Sequence, residues 1–396
     1  MKIAIVALHE LPSDLPAIAR EFPGAHKVTV YTRRDGTDRK PRVKASSKVT
    51  VEYVAAGPAH PLAEHDLTPH IAEFSAHLAA RWRKDRPDVV HAFSWTGGLA
   101  AVAATEGLGI PLVQSFPALG SAARRRPITR TAAADRAAAA RVRVERAIGR
   151  RADAVVASCA AEAAELIRLG VPRGHIVVVP HGVDVERFRR QGPAAPHGDS
   201  PRLLFVGSLA PEGGAAVAIR ALDGVPGAEL VVAGDGTGEE YIERLRVLAK
   251  ECGVEDRVTL LASVPPASLP KMMRGADIVL SLPATAPEGK IALQAMACGV
   301  PVIATAVGAH ADSVVDGVTG LLVRPGDPAL LALRARRLLG DLTRRTAMGF
   351  AGADRARSRY ALERIARELV RVYEHATGQA QPMEALDTEA EESEAA

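Results

Sequence analysis

The feature that most constrains this chain is an alternation. Short runs rich in Val, Ile, Leu and Ala are separated by stretches with helical periodicity, and the series occurs twice. In the first series, strand-like runs fall at residues 2–8, 27–31, 49–54, 88–91, 111–115, 154–157 and 175–179. Helical patterns lie between several of them, at 66–85, 97–106, 132–151 and 160–169. A Gly- and Pro-rich stretch without periodicity, QGPAAPHGDSP at 191–201, interrupts the pattern and reads as part of a linker. A second series follows, with strand-like runs at 202–206, 228–233, 257–261, 277–281 and 301–304 and helical patterns at 214–222, 239–251, 267–273 and 290–297. Strands alternating with helices imply right-handed crossovers and a parallel sheet. The expectation is therefore an α/β protein with two Rossmann-like, doubly wound domains, at 1–185 and 202–358, joined by a linker at 186–201. A last helix is expected at 359–378. An acidic tail at 379–396 has no aromatic residue and is expected to be disordered.

Composition agrees with buried parallel sheets. Hydrophobic residues make up 47% of the chain but aromatic ones only 4%, so aliphatic side chains must build the cores. No uninterrupted apolar run approaches the ~18 residues of a membrane span. Cys159, Cys252 and Cys298 are too scattered for a disulfide framework or a zinc site, which suits a reducing cytoplasm. No metal is implied. The net charge of +4 is unevenly spread: residues 1–185 carry roughly +8 and the remainder roughly −4. Basic clusters at 33–48 and 124–126 read first as solvated loops, and secondarily as a peripheral contact with the inner face of a membrane or with an acidic partner. No nucleic-acid motif accompanies the charge.

Ligands of doubly wound sheets bind outside the carboxyl ends of the strands. Two such sheets make a cleft between domains the default site, without naming a reaction.

Five segments carry a resemblance: DVVHAFSWTGGLAA (88–101), RAIGRRADAVVASC (146–159), VVVPHGVD (177–184), AMACGVPVIATAVG (295–308) and VVDGVTGLLVRPGDP (314–328). In order and spacing they resemble glycosyltransferase family 4, retaining enzymes that use nucleotide-sugar donors. The resemblance implies a GT-B fold, with an acceptor-side first domain, a donor-side second domain and a final helix crossing back to the first. It also implies a donor site, and there this sequence departs from the pattern. The family's Gly-Arg-Leu and Lys-Gly signature falls on VGSLAPEGG, so that Ser208 stands at the Arg position and Gly213 at the Lys position, with Glu212 beside them. The family's two glutamates fall on Ala286 and Gln294; glutamine keeps some capacity to bind a ribose. The family's sugar-contacting histidine falls on Pro117, which offers no hydrogen-bond donor. The glycine loop after the first strand is replaced by LHELPSDLP.

A charge-assisted hydrogen bond is worth roughly 1.5–3 kcal/mol. Losing two from a diphosphate therefore costs roughly 3–6 kcal/mol, or about 10²–10⁴ in affinity or rate. Lys290, at the start of a helix, could replace a lost cation, with Glu288 competing for the same positive end; Arg220 and Arg324 read as surface residues. Gly207, Gly234 and Asp235 complete the donor-side candidates, and Gly308 retains another turn of the scaffold. His9, Glu10 and His91 are the acceptor-side candidates, His91 being as readily a packed core histidine. His181 and Asp184 sit in the PHGVD turn, where Asp184 is expected to order the backbone.

The reading that follows is a family-4-like protein with an eroded nucleotide-sugar site. It would be a non-catalytic or very weakly active partner of an active glycosyltransferase, with no cofactor and only weak donor binding. The alternative is an active retaining glycosyltransferase moving a hexosyl group from a UDP- or GDP-sugar. A nucleotide-sugar epimerase, or another ligand-binding role, is a third possibility.

Overall fold

The computed structural model describes residues 1–9, 15–120, 132–196, 198–234, 239–285 and 288–379, except the side chains of 132–135. The chain divides into two compact units. The first comprises 1–156, 166–177 and the C-terminal part from Ala366, and the second comprises 157–165 and 178–365. The last helix, Leu362–Ala376, thus begins in the second unit and continues in the first.

The first unit holds an eight-stranded sheet built from β1 (Lys2–Ala7), β2 (Lys27–Arg33), β3 (Arg42–Lys44), β4 (Val49–Val54), β5 (Val89–Phe93), β6 (Leu112–Ser115), β7 (Ala154–Ala157) and β8 (Ile176–Val178). The order is β3-β4-β2-β1-β5-β6-β7-β8. The pairs β1–β2, β1–β5, β2–β4, β5–β6 and β6–β7 are parallel, and the exposed edge strand β3 runs antiparallel to β4. The order reverses at β1 and β5, so their carboxyl ends form the switch point. Helix Ile71–Lys84 buries Phe74, Leu78 and Trp82, and Trp82 meets Tyr31 of β2 edge-on with ring centroids 5.9 Å apart.

The second unit holds a six-stranded parallel sheet of β9 (Arg202–Gly207), β10 (Glu229–Gly234), β11 (Val258–Leu261), β12 (Ile278–Ser281), β13 (Val302–Thr305) and β14 (Gly320–Val323), in the order β11-β10-β9-β12-β13-β14. Side chains alternate between its two faces, as strand geometry requires. Leu203, Phe205, Ile278 and Leu280 join a core with helices Ala215–Leu222, Glu239–Glu251 and Pro328–Leu339. Their neighbours Leu204, Val206 and Val279 join a second core with helices Lys290–Ala297 and Leu342–Tyr360. A strand segment buried on both faces must be apolar at every position, which is why Leu203–Val206 of β9 reads as an unbroken hydrophobic run. The two-domain α/β architecture expected from the alternation is the one observed.

Candidate active site

In the second unit the switch point lies between β9 and β12, which are hydrogen-bonded neighbours whose connections leave in opposite directions. The loop leaving β9 begins at Gly207 and Ser208. The Ser208 hydroxyl accepts a hydrogen bond from the Ala210 amide at 3.2 Å, and a single turn at Pro211–Gly213 leads into the helix Ala215–Leu222. This loop touches the one leaving β12. The Ala284 amide donates to the Glu212 carbonyl at 2.8 Å. Gly214 has φ +91°, and a Cβ there would lie 2.1 Å from the Leu282 carbonyl oxygen, so only glycine permits the approach. Gly234 ends β10, and Leu209 occupies the space a side chain would need there.

The floor of this crevice contains polar residues that sequence reasoning missed. His310 is 1% exposed and lies near the end of β12: its Nδ1 is 3.1 Å from the Thr305 carbonyl and its Nε2 is 3.2 Å from Ser281 Oγ. A carbonyl can only accept, so Nδ1 carries the proton and Nε2 accepts from the serine hydroxyl. Burial lowers the His310 pKa to about 4, so the ring is neutral at physiological pH. Thr305 Oγ1 donates to the Pro283 carbonyl at 2.8 Å and fixes the same loop. The sequence offered no local signal for this cluster, because Ser281, Thr305 and His310 meet only when β12 and β13 pair.

Helix Lys290–Ala297 follows Gly289, which has φ +63°. Lys290 Nζ lies 2.8 Å from Glu288 Oε2, so the cation expected to serve a diphosphate is partnered by a carboxylate. Its side chain is only 17% exposed. One turn further on, Gln294 has a buried Oε1 that accepts no hydrogen bond among the described residues. Buried carbonyl oxygens are nearly always paired, so this one is suited to a donor from outside the chain. Arg220 is exposed. Arg324 has an 82% exposed side chain beside Asp327, so both are surface residues. Asp235 and Ala286 lie outside the described residues.

In the first unit, two of the three acceptor-side candidates lie among the described residues. His9 follows β1 and is exposed, and Glu10 lies outside the described residues. His91 is 1% exposed: Nδ1 is 2.8 Å from the Tyr373 hydroxyl and Nε2 is 2.9 Å from Ser115 Oγ. Burial lowers its pKa to about 3. His91 is therefore corrected from an acceptor-side residue to a core histidine that anchors the last helix. Pro117 is exposed after β6. The loop it begins is held by the buried carboxylate of Glu145, which accepts from the Gly120 amide at 3.0 Å and from Arg141 Nε at 2.7 Å. Ser94, the first residue after β5, has φ +61°. This strained conformation at the switch point of the first sheet is one that a serine seldom adopts. Arg33, counted in the basic cluster, is 4% exposed and donates to the carbonyls of Pro58 and His60, so it is structural. Residues 124–126 lie outside the described residues. Asp184 accepts from the amides of Glu186 and Arg187 and thereby orders its turn.

Two family models match in tandem. Residues 15–182 match the glycosyl transferase 4-like domain, and residues 187–355 match glycosyl transferases group 1. The chain is 32% identical to a protein named D-inositol 3-phosphate glycosyltransferase from Xylanimonas cellulosilytica, over 95% of this chain and 97% of that one. It belongs to the glycosyltransferases of group 1. A second protein of that name, from Kineococcus radiotolerans, is 34% identical over 83% of this chain and 82% of its own. Among solved structures, sucrose-phosphate synthase from Thermosynechococcus elongatus superposes with a TM-score of 0.83 at 24% identity, covering 96% of this chain and all of the other. Anabaena HepE in complex with UDP-glucose superposes at 0.75 with 20% identity, covering 95% of this chain and all of that one. These establish the GT-B fold of a group 1 glycosyltransferase. Among the described residues no helix is long and apolar enough to cross a membrane.

Proposed function

We propose that the chain is an active glycosyltransferase that moves a glycosyl group from a nucleotide sugar to a polar acceptor, with the nucleotide held at the carboxyl ends of β9 and β12. The similarity to D-inositol 3-phosphate glycosyltransferases over nearly the whole of both chains carries this reading. Gln294 supports it, because its unpaired buried oxygen lies where the resemblance puts the ribose. In this reading Gln294 accepts from a ribose hydroxyl. The amides at the start of helix Lys290–Ala297, with Lys290 beside them, stabilise charge on the departing diphosphate. The buried Ser281–His310–Thr305 cluster fixes the loop ahead of that helix. His310 is neutral there and adds no charge to the crevice. The neighbouring loop offers a diphosphate only backbone amides and the Ser208 hydroxyl, which predicts a weaker grip on the nucleotide than an arginine–lysine pair gives.

Ser208 and Gly213 also favour a second reading, a non-catalytic partner of an active glycosyltransferase, because neither residue can bring a cation to the loop after β9. Nucleotide release from a panel of UDP-, GDP- and dTDP-sugars separates the two, measured with and without D-inositol 3-phosphate as acceptor. Acceptor-dependent release from one donor supports transfer. No release from any donor, together with unaltered folding and no UDP or GDP binding, supports the second reading.

A further inference from the structure

The second unit has a pocket at the opposite end of its sheet from the crevice just described. It is ≈ 410 Å³ in volume and is bounded by the 190–194 loop, the end of helix Leu269–Arg274, the turn entering β13 and the first turns of helix Leu342–Tyr360. Asp277 immediately precedes β12 and Pro301 immediately precedes β13, so the pocket lies at the amino ends of those strands.

Its lining is cationic. Arg190, Arg274 and Arg345 all contribute, against the single carboxylate of Asp277. Only Arg345 is paired with it, at 3.2 Å. The other Asp277 oxygen accepts from the Arg202 amide at 2.8 Å. Arg190 and Arg274 form no ion pair among the described residues. Arg274 is instead held by carbonyls: Nε donates to Pro193 at 2.9 Å and a terminal nitrogen donates to Arg189 at 3.1 Å. Arg190 lies over the Phe350 ring, with the guanidinium carbon 3.5 Å from its centroid. Its stem passes over Gly299, where a Cβ would come 2.4 Å from Arg190 Cγ. Two guanidiniums are thus oriented by contacts that leave their charge uncompensated. Such pre-oriented planar cations suit bidentate binding of a phosphate group.

We propose that this pocket binds a phosphate-bearing ligand, at a site separate from the one that binds the donor nucleotide. The volume accommodates a phosphorylated small molecule, and the exposed side of Arg190 would equally admit a phosphate headgroup at a lipid surface.

The test is a calorimetric titration of the full chain with inorganic phosphate in the presence of saturating UDP, so that the crevice at β9 and β12 is not available. Saturable binding is expected, weakened about tenfold by Arg190→Gln. Arg190→Gln leaves the carbonyl contacts of Arg274 intact, so its fold is preserved, and an unchanged thermal transition verifies this. Arg324→Gln, a surface control, should leave binding as it is. Co-sedimentation with vesicles of phosphatidylcholine containing phosphatidylglycerol distinguishes the sources. Association lost in Arg190→Gln identifies a headgroup, whereas phosphate binding without vesicle association identifies a free phosphorylated molecule. Absence of saturable phosphate binding, or binding indifferent to Arg190→Gln, would overturn the proposal.

Discussion

The α-carbon of Gly213 is turned onto the carbonyl oxygen of Ser208, and a β-carbon at Gly213 would lie 1.8 Å from that oxygen. The two positions where the family resemblance places an arginine and a lysine are therefore coupled. The loop has closed on itself in a way that a side chain at 213 cannot share. Gly213→Ala is expected to destabilise the second unit by about 1–3 kcal/mol, as forced overpacking does. Ser208→Arg makes no comparable demand on the backbone. It is expected to strengthen UDP binding by about tenfold, the worth of one charge-assisted contact. Urea unfolding of the first variant and calorimetry on the second check both; a Gly213→Lys variant of native stability would show that the loop is less constrained.

Gln294 provides a more selective probe. Its oxygen has no partner among the described residues, so Gln294→Leu should cost little stability while abolishing preference for a ribonucleotide. Gln294→Glu should tighten UDP about fivefold, because a carboxylate accepts a hydroxyl more strongly than an amide does. Comparing UDP with its 2′- and 3′-deoxy analogues reads the effect directly, since loss of the hydroxyl should erase the difference between the variants.

Lys290 and Glu288 share a partly exposed ion pair, worth no more than about 1 kcal/mol to stability. Its removal matters more to ligand than to fold. Glu288→Gln is expected to raise UDP affinity about two- to fivefold by removing a negative charge beside the lysine at a helix start, and Lys290→Gln to lower it by a similar factor. Both effects should shrink with added salt. Equal affinities in all three proteins would remove Lys290 from the donor site.

The two buried histidines set an acid limit. Burial lowers the pKa of His91 to about 3 and that of His310 to about 4, against 6.5 in an unfolded chain. Between those values the unfolded chain binds the extra proton, so stability is full above pH 6.5 and falls as the pH drops. Each histidine contributes up to about 1.4 kcal/mol per pH unit. His91 lies in the first unit and His310 in the second. His91→Gln should flatten the pH dependence of unfolding of the first unit, and His310→Gln that of the second. Unchanged pH profiles would mean that the rings are already charged or solvated.

The strands buried on both faces were legible because such strands leave a continuous apolar run; β9 at Arg202–Gly207 and β12 at Ile278–Ser281 fall within a residue of their expected places. Strand β3 was not legible. Arg42–Lys44 is exposed throughout and pairs only as an edge, so nothing in its residue types marks it. Strand β14 lay within the VVDGVTGLLVRPGDP segment, which was read for its resemblance and not for a strand, and helix Leu342–Tyr360 within a charged stretch whose buried positions are partly Gly and Ala. At the site, the residues standing where the resemblance places the family's side chains could be read directly, but their physical setting could not. The carbonyl of Ser208 beneath Gly213 and the serine partner of His310 are facts of three-dimensional closure. His91 shows the converse: a histidine at a strand end carries no signal that says whether it faces a ligand or, as here, a tyrosine of the last helix.

The central claim is that the crevice at the ends of β9 and β12 still handles a nucleotide sugar. The most direct measurement is donor-dependent nucleotide release across UDP-, GDP- and dTDP-sugars, on the unmodified chain and on Gln294→Leu. The account predicts turnover with one nucleotide class and a reduction of about fivefold to tenfold in the variant. Turnover that is indifferent to Gln294, or none with any donor, would contradict it.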